Sequence, residues 1–171
     1  YCEEYGEDET ERIFEGFLKA DRGVSVRCNV SKAEPQEVYD MLKKQGISVK
    51  KSELFDYAFS IDDFDRLQDV EALKKGYIQV QDFSSILAGH IPEIKGGENI
   101  IDICAAPGGK TLHIADRLND RKLNGGGKII SCDLTDAKTA LIKENVERNG
   151  FENVSVVKND ALAFNQETSQ R

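Results

Sequence analysis

Residues 100–111 read Ile-Ile-Asp-Ile-Cys-Ala-Ala-Pro-Gly-Gly-Lys-Thr, an apolar run that passes into small residues and then into a helix. Ile100, Ile101 and Ile103 are β-branched and read as a central strand. Ala105, Ala106, Pro107, Gly108 and Gly109 carry almost no side chain, so a ligand can approach their backbone closely. A helix opening at Gly109 turns unpaired N–H groups and the positive end of its dipole toward that ligand, which favours a carboxylate or phosphate there. Strand, small-residue turn and helix in this order are the usual holder of a nucleotide-like cofactor.

Outward from this segment the pattern alternates strictly: strand 99–104, helix 109–119, strand 128–133, helix 136–148, strand 153–158. That is the first half of a doubly wound parallel sheet, an α/β arrangement. Lys95-Gly-Gly-Glu98 reads as the turn into it, and Arg-Lys-Leu-Asn-Gly-Gly-Gly ending at Gly127 as a flexible insertion. Rossmann-like sheets continue on the other side of the first strand only with later strands, so the 99–104 strand is expected at an edge. An apolar edge is a template for association, so a dimer, a swapped strand or poor solubility is expected.

Upstream, Ile13, Phe14, Phe17 and Leu18 recur at helical spacing, so an amphipathic helix is predicted from Glu7 to Ala20, ending before Asp21-Arg22-Gly23. Residues 24–30 alternate as a strand. Pro35 suits a helix's first turn, Val38, Met41 and Leu42 make its buried stripe, and Gly46 ends it. Strands follow at 47–51, 57–61 and 77–80, then a short helix through Phe83, Ile86 and Leu87 toward Pro92. Residues 1–92 therefore read as a small mixed α/β domain, with residues 93–171 as a second one.

The chain has 171 residues, 39% of them hydrophobic, as in ordinary globular domains. No run approaches the ~20 apolar residues of a membrane span, and the acidic opening residues do not read as a signal peptide, so a cytoplasmic protein is expected. Cys2, Cys28, Cys104 and Cys132 stand far apart with only His90 and His113 to assist them, which suggests neither a metal site nor a disulfide framework. Net charge is −8, the wrong sign for affinity built on phosphate contacts. The acids crowd the first fifteen residues, however, whereas Lys43, Lys44, Lys50, Lys51, Lys74 and Lys75 lie in the middle; as a charge run these lysines read first as a solvated face.

From Asp102 to Thr111 the letters resemble motif I of the RNA 5-methylcytosine methyltransferases, commonly written Asp-x-Cys-Ala-Ala-Pro-Gly-Gly-Lys-Thr. Arg27-Cys-Asn29 with Lys32 is similar to that family's Arg-x-Asn element, and Gly76-Tyr-Ile-Gln-Val-Gln-Asp82 with Ser85 to its Gly-x-x-x-Val-Gln-Asp element. The opening Glu4-Tyr-Gly-Glu-Asp-Glu9 is similar to the bacterial branch acting on 16S ribosomal RNA; Phe83 departs, standing where an acidic residue commonly follows Gln-Asp. The resemblance implies a Rossmann-like methyltransferase sheet, S-adenosylmethionine as cofactor and ribosomal RNA as partner, with the small domain positioning the RNA. It implies that Cys104, Ala105, Ala106, Pro107, Gly108, Gly109 and Lys110 hold the methionine end.

Asp133 closes the second strand about 20 residues after the glycine loop, where Rossmann-like folds place a carboxylate on the ribose; a helix N-cap or a turn is the alternative. By resemblance Lys138 is the family's basic residue on the next helix and Asp160 the aspartate beside the adenine, although Asn159-Asp160 also reads as a turn. Lys110 either meets the methionine carboxylate or pairs with Asp102. Cys104 reads as a small buried lining residue, and His113 as a half-buried surface histidine.

Three rivals remain. The segment Cys104-x-x-x-x-Gly-Lys-Thr111 is one residue from a P-loop, but that loop needs glycine where Cys104 stands, and Pro107 lacks an amide. A dinucleotide dehydrogenase lacks its Gly-x-Gly-x-x-Gly, and a non-catalytic RNA-binding module conflicts with the acidic balance. The family's Pro-Cys and Thr-Cys motifs, the latter supplying its nucleophile, do not occur in these 171 residues. The chain therefore reads as a fragment with no catalytic residue of its own.

Overall fold

The computed structural model describes residues 2–19, 23–62, 64–120 and 126–163. Ala20, Asp21 and Arg22 at the predicted end of the first helix, the Phe17 side chain, and residues 121–125 of the predicted insertion lie outside them.

Two short N-terminal helices, α1 (Cys2–Tyr5) and α2 (Glu7–Lys19), precede the first sheet. Glu7, Asp8 and Glu9 open α2, where acids favour the positive end of the helix dipole. The predicted apolar stripe is only thinly covered, with Phe14 and Leu18 exposed.

The first sheet is built from β1 (Val24–Cys28), α3 (Pro35–Lys44), β2 (Val49–Lys51), β3 (Ala58–Ile61), a 3-10 helix (Phe64–Asp69), α4 (Glu71–Lys74) and β4 (Ile78–Val80). Its order is β2-β3-β1-β4 with every pairing antiparallel, the βαββαβ pattern of ferredoxin-like units. Pro35 starts α3, where a missing N–H costs nothing. Val38 and Leu42 of α3 pack on Val26, Cys28, Phe59, Ile61 and Ile78 from the sheet. Alternation then sends Arg27 to the opposite face of β1. That side is closed by α5 (Phe83–His90), whose Ile86 meets Ala58 and Phe55, and by the helix that follows the glycine loop.

The second sheet follows the predicted alternation: β5 (Asn99–Asp102), α6 (Gly109–Leu118), β6 (Lys128–Asp133), α7 (Asp136–Asn149) and β7 (Val154–Lys158). The order β5-β6-β7 is parallel throughout, with Ile101 opposite Ile130 and Ser131 opposite Val156. Leu112, Ala115 and Leu118 of α6 and Ile142 and Val146 of α7 bury against Ile129 and Phe151. Thr135 caps α7, accepting from the Lys138 N–H, a contact of about 1 kcal/mol.

The reading of Ile100, Ile101 and Ile103 as a buried central strand is corrected, whereas the reading of their strand as an edge holds. β5 stops at Asp102 and stands at the sheet edge, leaving Ile101 51% and Ile103 54% exposed. β-branching supplies the strand conformation, but burial needs a neighbour on each side, and among the described residues β5 has only β6. At its other end Gly127, at φ +105°, packs so closely on β5 that a Cβ there would lie 2.5 Å from the Glu98 carbonyl oxygen.

Candidate functional site

All three strands run the same way, so their C-terminal ends form one rim carrying the Cys104–Lys110 loop, Asp133 and Asp160. The loop turns into α6 at Gly108, whose φ of +106° is the left-handed conformation that glycine alone adopts without strain. No side chain caps α6, and its first backbone bond runs from Leu112 N–H to the Gly108 carbonyl. The amides ahead of Leu112 are thus available to an anionic group.

Asp133 fastens the loop from the neighbouring strand. Its carboxylate accepts from Ala106 N–H at 2.9 Å and from Leu134 N–H at 2.8 Å, and Lys138 Nζ lies 3.1 Å away. The Ala106 N–H, then the Leu134 N–H and Lys138, hold this carboxyl below the ordinary range. Roughly four lone-pair positions exist on a carboxylate, so these contacts leave room for a hydroxyl. Asn145 of α7 donates to the Pro107 carbonyl at 2.7 Å, a second fastening that no sequence signal marked.

The ion pair of Lys110 with Asp102 is not formed. Asp102 instead accepts from Thr111 Oγ1 at 2.7 Å, Thr111 meets Ser131 Oγ at 2.7 Å, and Lys110 is exposed above them. Asp160 is exposed beyond β7 and accepts from Leu162 N–H at 2.9 Å, so the turn role read for it is present. Asn159 N–H donates to the Asp133 carbonyl, which sets Asp160 beside the second strand end.

Two expectations fail. Cys104 is exposed rather than buried, because it follows the open edge strand. His113 is fully buried rather than half-exposed: Gly89 of α5 lets the imidazole pack so tightly that a Cβ at position 89 would lie 2.3 Å from its Nδ1. Desolvation, then the Arg27 and Arg117 charges, push His113 down to about 2, so it stays neutral. Burial pushes the Cys28 thiol up to about 12, which makes it inert as a nucleophile.

Facing the loop, Val80, Gln81, Asp82 and Ser85 of the first unit form the other wall of a cavity of about 190 Å³ completed by Asp102, the loop and Lys110. The family-like Arg27 and Asn29 lie behind that wall. Arg27 Nε donates to Gln81 Oε1 at 3.1 Å and Nη1 to Asp116 Oδ2 at 3.0 Å, while Asn29 Nδ2 donates to the Gly76 carbonyl at 2.6 Å and to Asn149 at 3.2 Å. Asp116, which sequence reading did not single out, also accepts from Val30 and Ser31 N–H groups. A larger cavity of about 470 Å³ opens elsewhere, among Tyr57, His90 and Arg117, with none of the loop residues in its wall. Among the described residues no His, Cys, Asp or Glu group is placed to hold a metal ion, and no helix is long and apolar enough to cross a membrane.

A parallel half-sheet with a glycine-rich first loop and a carboxylate ending its second strand defines a Rossmann-like methyltransferase fold. Residues 91–171 match the family described as 16S rRNA methyltransferase RsmB/F. It is 31% identical over 151 residues to the probable ribosomal RNA small subunit methyltransferase B of Bacillus subtilis, covering 88% of this chain and 32% of that protein. It is 38% identical over 95 residues to the tRNA (cytosine(72)-C(5))-methyltransferase of Pyrococcus horikoshii, covering 56% of this chain and 23% of that one. The crystal structure of PH0851 superposes with a TM-score of 0.80 at 33% identity, over 90% of this chain and 34% of its own. The chain thus spans about a third or less of the curated relatives it matches.

Proposed function

We propose that this chain is the RNA-positioning and cofactor-binding part of an S-adenosylmethionine-dependent methyltransferase acting on carbon 5 of cytosine in ribosomal RNA, 16S in particular. Residues 1–92 are the RNA-positioning domain and residues 93–171 the first half of the cofactor domain. The observation that carries this is the Ala106–Asp133 bond, which ties the small-residue loop and the strand-end carboxylate into one preorganised unit. Relatives named for ribosomal RNA and for the 16S family support the substrate.

Bound S-adenosylmethionine supplies an electrophilic methyl group. The open N–H groups of α6 and Lys110 take its carboxylate, and Asp133 accepts from the ribose hydroxyls. The Ala106 and Leu134 N–H groups, then Lys138, keep Asp133 ionised, while Asp160 borders the adenine. The face of the first sheet opposite α3 is closed by α5 and α6, so RNA does not stack there. Exposed Lys43, Lys44, Lys50, Lys51 and Lys74 are the surface that meets phosphates against the net charge of −8.

Calorimetry with S-adenosylhomocysteine tests the reading. Asp133→Ala weakens binding about ten- to a hundredfold, the range for a hydrogen bond to a charged group. Equal affinity of variant and parent removes Asp133 from the site.

A further inference from the structure

Asn29 follows β1 in the first unit and Asn149 ends α7 in the second, and both are buried. Asn29 Nδ2 donates to the Gly76 carbonyl at 2.6 Å within its own unit and to Asn149 Oδ1 at 3.2 Å across the seam. Asn149 Nδ2 donates in turn to the Asn145 carbonyl at 2.8 Å. A backbone carbonyl only accepts, so Gly76 fixes which way Asn29 faces and the Asn145 carbonyl fixes Asn149. The two orientations agree at the bond they share. One turn back along α7, Asn145 Nδ2 donates to the Pro107 carbonyl at 2.7 Å, inside the glycine-rich loop.

Both ends of this path are closely packed. A Cβ at Gly76 would lie 3.2 Å from Lys32 Nζ and 3.8 Å from Asn149 Oδ1, and Lys32 Nζ stands 5.9 Å from the centre of the Phe151 ring beyond α7. At the loop, a Cβ at Gly108 would lie 3.6 Å from Ile142 Cγ2 of the same helix. The last turns of α7 thus rest on the first unit at one end and carry the loop at the other. Close-packed interiors pass on a displacement instead of absorbing it.

We propose that Asn29 is a positioning residue for the glycine-rich loop, acting through Asn149 and Asn145, so that the hold on the cofactor depends on how the first unit is seated against α7. The part played by the cofactor rests on the function proposed above. Amides suit the task because they are directional and bring no charge into the interior.

Native-state hydrogen exchange on the 171-residue chain reads the loop without any ligand. The Ala106 amide, bound to Asp133, and the Gly108 amide, bound to the Ala105 carbonyl, report the loop, while amides of β6, the middle strand, report global opening. Asn145→Ala removes the last donor; Asn29→Ser leaves one donor for two acceptors and so spares part of the seam. Each speeds exchange at Ala106 and Gly108 relative to β6 by about two- to tenfold, the range of one hydrogen bond. Added to Asn145→Ala, Asn29→Ser speeds the loop no further, yet lowers the urea midpoint as it does in the parent. An Asn29→Ser chain with a lower midpoint and an unchanged ratio of loop to β6 exchange has lost a structural contact only, which overturns the inference. A full Asn29→Ser effect on the loop in the Asn145→Ala background overturns it too. In calorimetry both single variants bind S-adenosylhomocysteine more weakly than the parent, by a similar about two- to tenfold factor. Equal affinity of parent and variants overturns the coupling to the cofactor. A parent that does not bind S-adenosylhomocysteine, with the exchange results as expected, overturns the reading of the loop as a cofactor site and leaves Asn29 as its positioning residue.

Discussion

Arg27 and Asp116 stand 89 positions apart in the chain and meet at 3.0 Å with both side chains excluded from water. Burial lowers the guanidinium's proton affinity, and the Asp116 carboxylate opposes that shift. The pair joins the antiparallel sheet to the helix that begins at the glycine-rich loop. It thereby sets the wall bearing Gln81 against the loop bearing Lys110.

Removing one partner strands the other's charge in the interior. Asp116→Ala lowers stability by about 3–5 kcal/mol in urea unfolding, the range for a broken buried pair. The double replacement Arg27→Met with Asp116→Leu costs less than Asp116→Ala alone, because it leaves no uncompensated charge. A double variant less stable than the single one removes desolvation as the governing cost.

His113 gives the protein an acid-sensitive fold. Its folded pKa is depressed to about 2 from an ordinary 6.5, so below pH 6.5 the unfolded chain takes up a proton that the folded chain refuses. Stability from this group is full above pH 6.5 and falls with acid, at up to about 1.4 kcal/mol per pH unit. His113→Leu flattens the slope between pH 6.5 and 4.5, above the ordinary glutamate value. Identical slopes in urea titrations of variant and parent sink this assignment.

The second sheet was legible because βαβ units announce themselves by alternation, and residues 128–133 form a strand with the bounds read from sequence. The loop was legible because Pro107, Gly108 and Gly109 are chemically unusual together. Contacts between distant segments were not: nothing near Asp116 says that Arg27 will meet it, and the burial of His113 depends on a glycine of another helix. The helices at 64–74 span too few residues to show a period. Cys104 was misread because the burial of a central strand was carried over to it, although its strand had also been read as an edge.

That edge has a consequence in solution. Ile101 and Ile103 lie open beside the unpaired backbone of β5, which favours pairing with a second copy. Light scattering on the 171-residue chain gives a mass that rises with concentration, and Ile101→Lys suppresses the rise. A monomer at all concentrations shows that the edge is protected by another part of the chain.

Methyl transfer to cytosine carbon 5 needs a thiolate to add first to the pyrimidine ring, because the unactivated carbon is too weak a nucleophile to take the methyl group. The RNA 5-methylcytosine methyltransferases that this chain resembles draw that thiolate from a Thr-Cys motif, and their other cysteine motif is Pro-Cys. In these 171 residues the prolines are Pro35, Pro92 and Pro107, none followed by cysteine, and no cysteine follows Cys132. Cys28 and Cys132 are buried, and burial raises both thiols. Cys2 belongs to the first helix, far in sequence from the loop. Among the described residues Cys104 is the thiol at the cavity, and it sits on the glycine-rich loop, where the methionine end is proposed to lie. Positioning without a nucleophile does not open the reaction path. Transfer of a tritiated methyl group to unmodified 16S RNA by this chain therefore stays at background. A longer chain that also carries the Pro-Cys and Thr-Cys motifs labels it. Labelling by the 171-residue chain alone, abolished by Cys104→Ser, would make Cys104 the nucleophile and overturn this assignment.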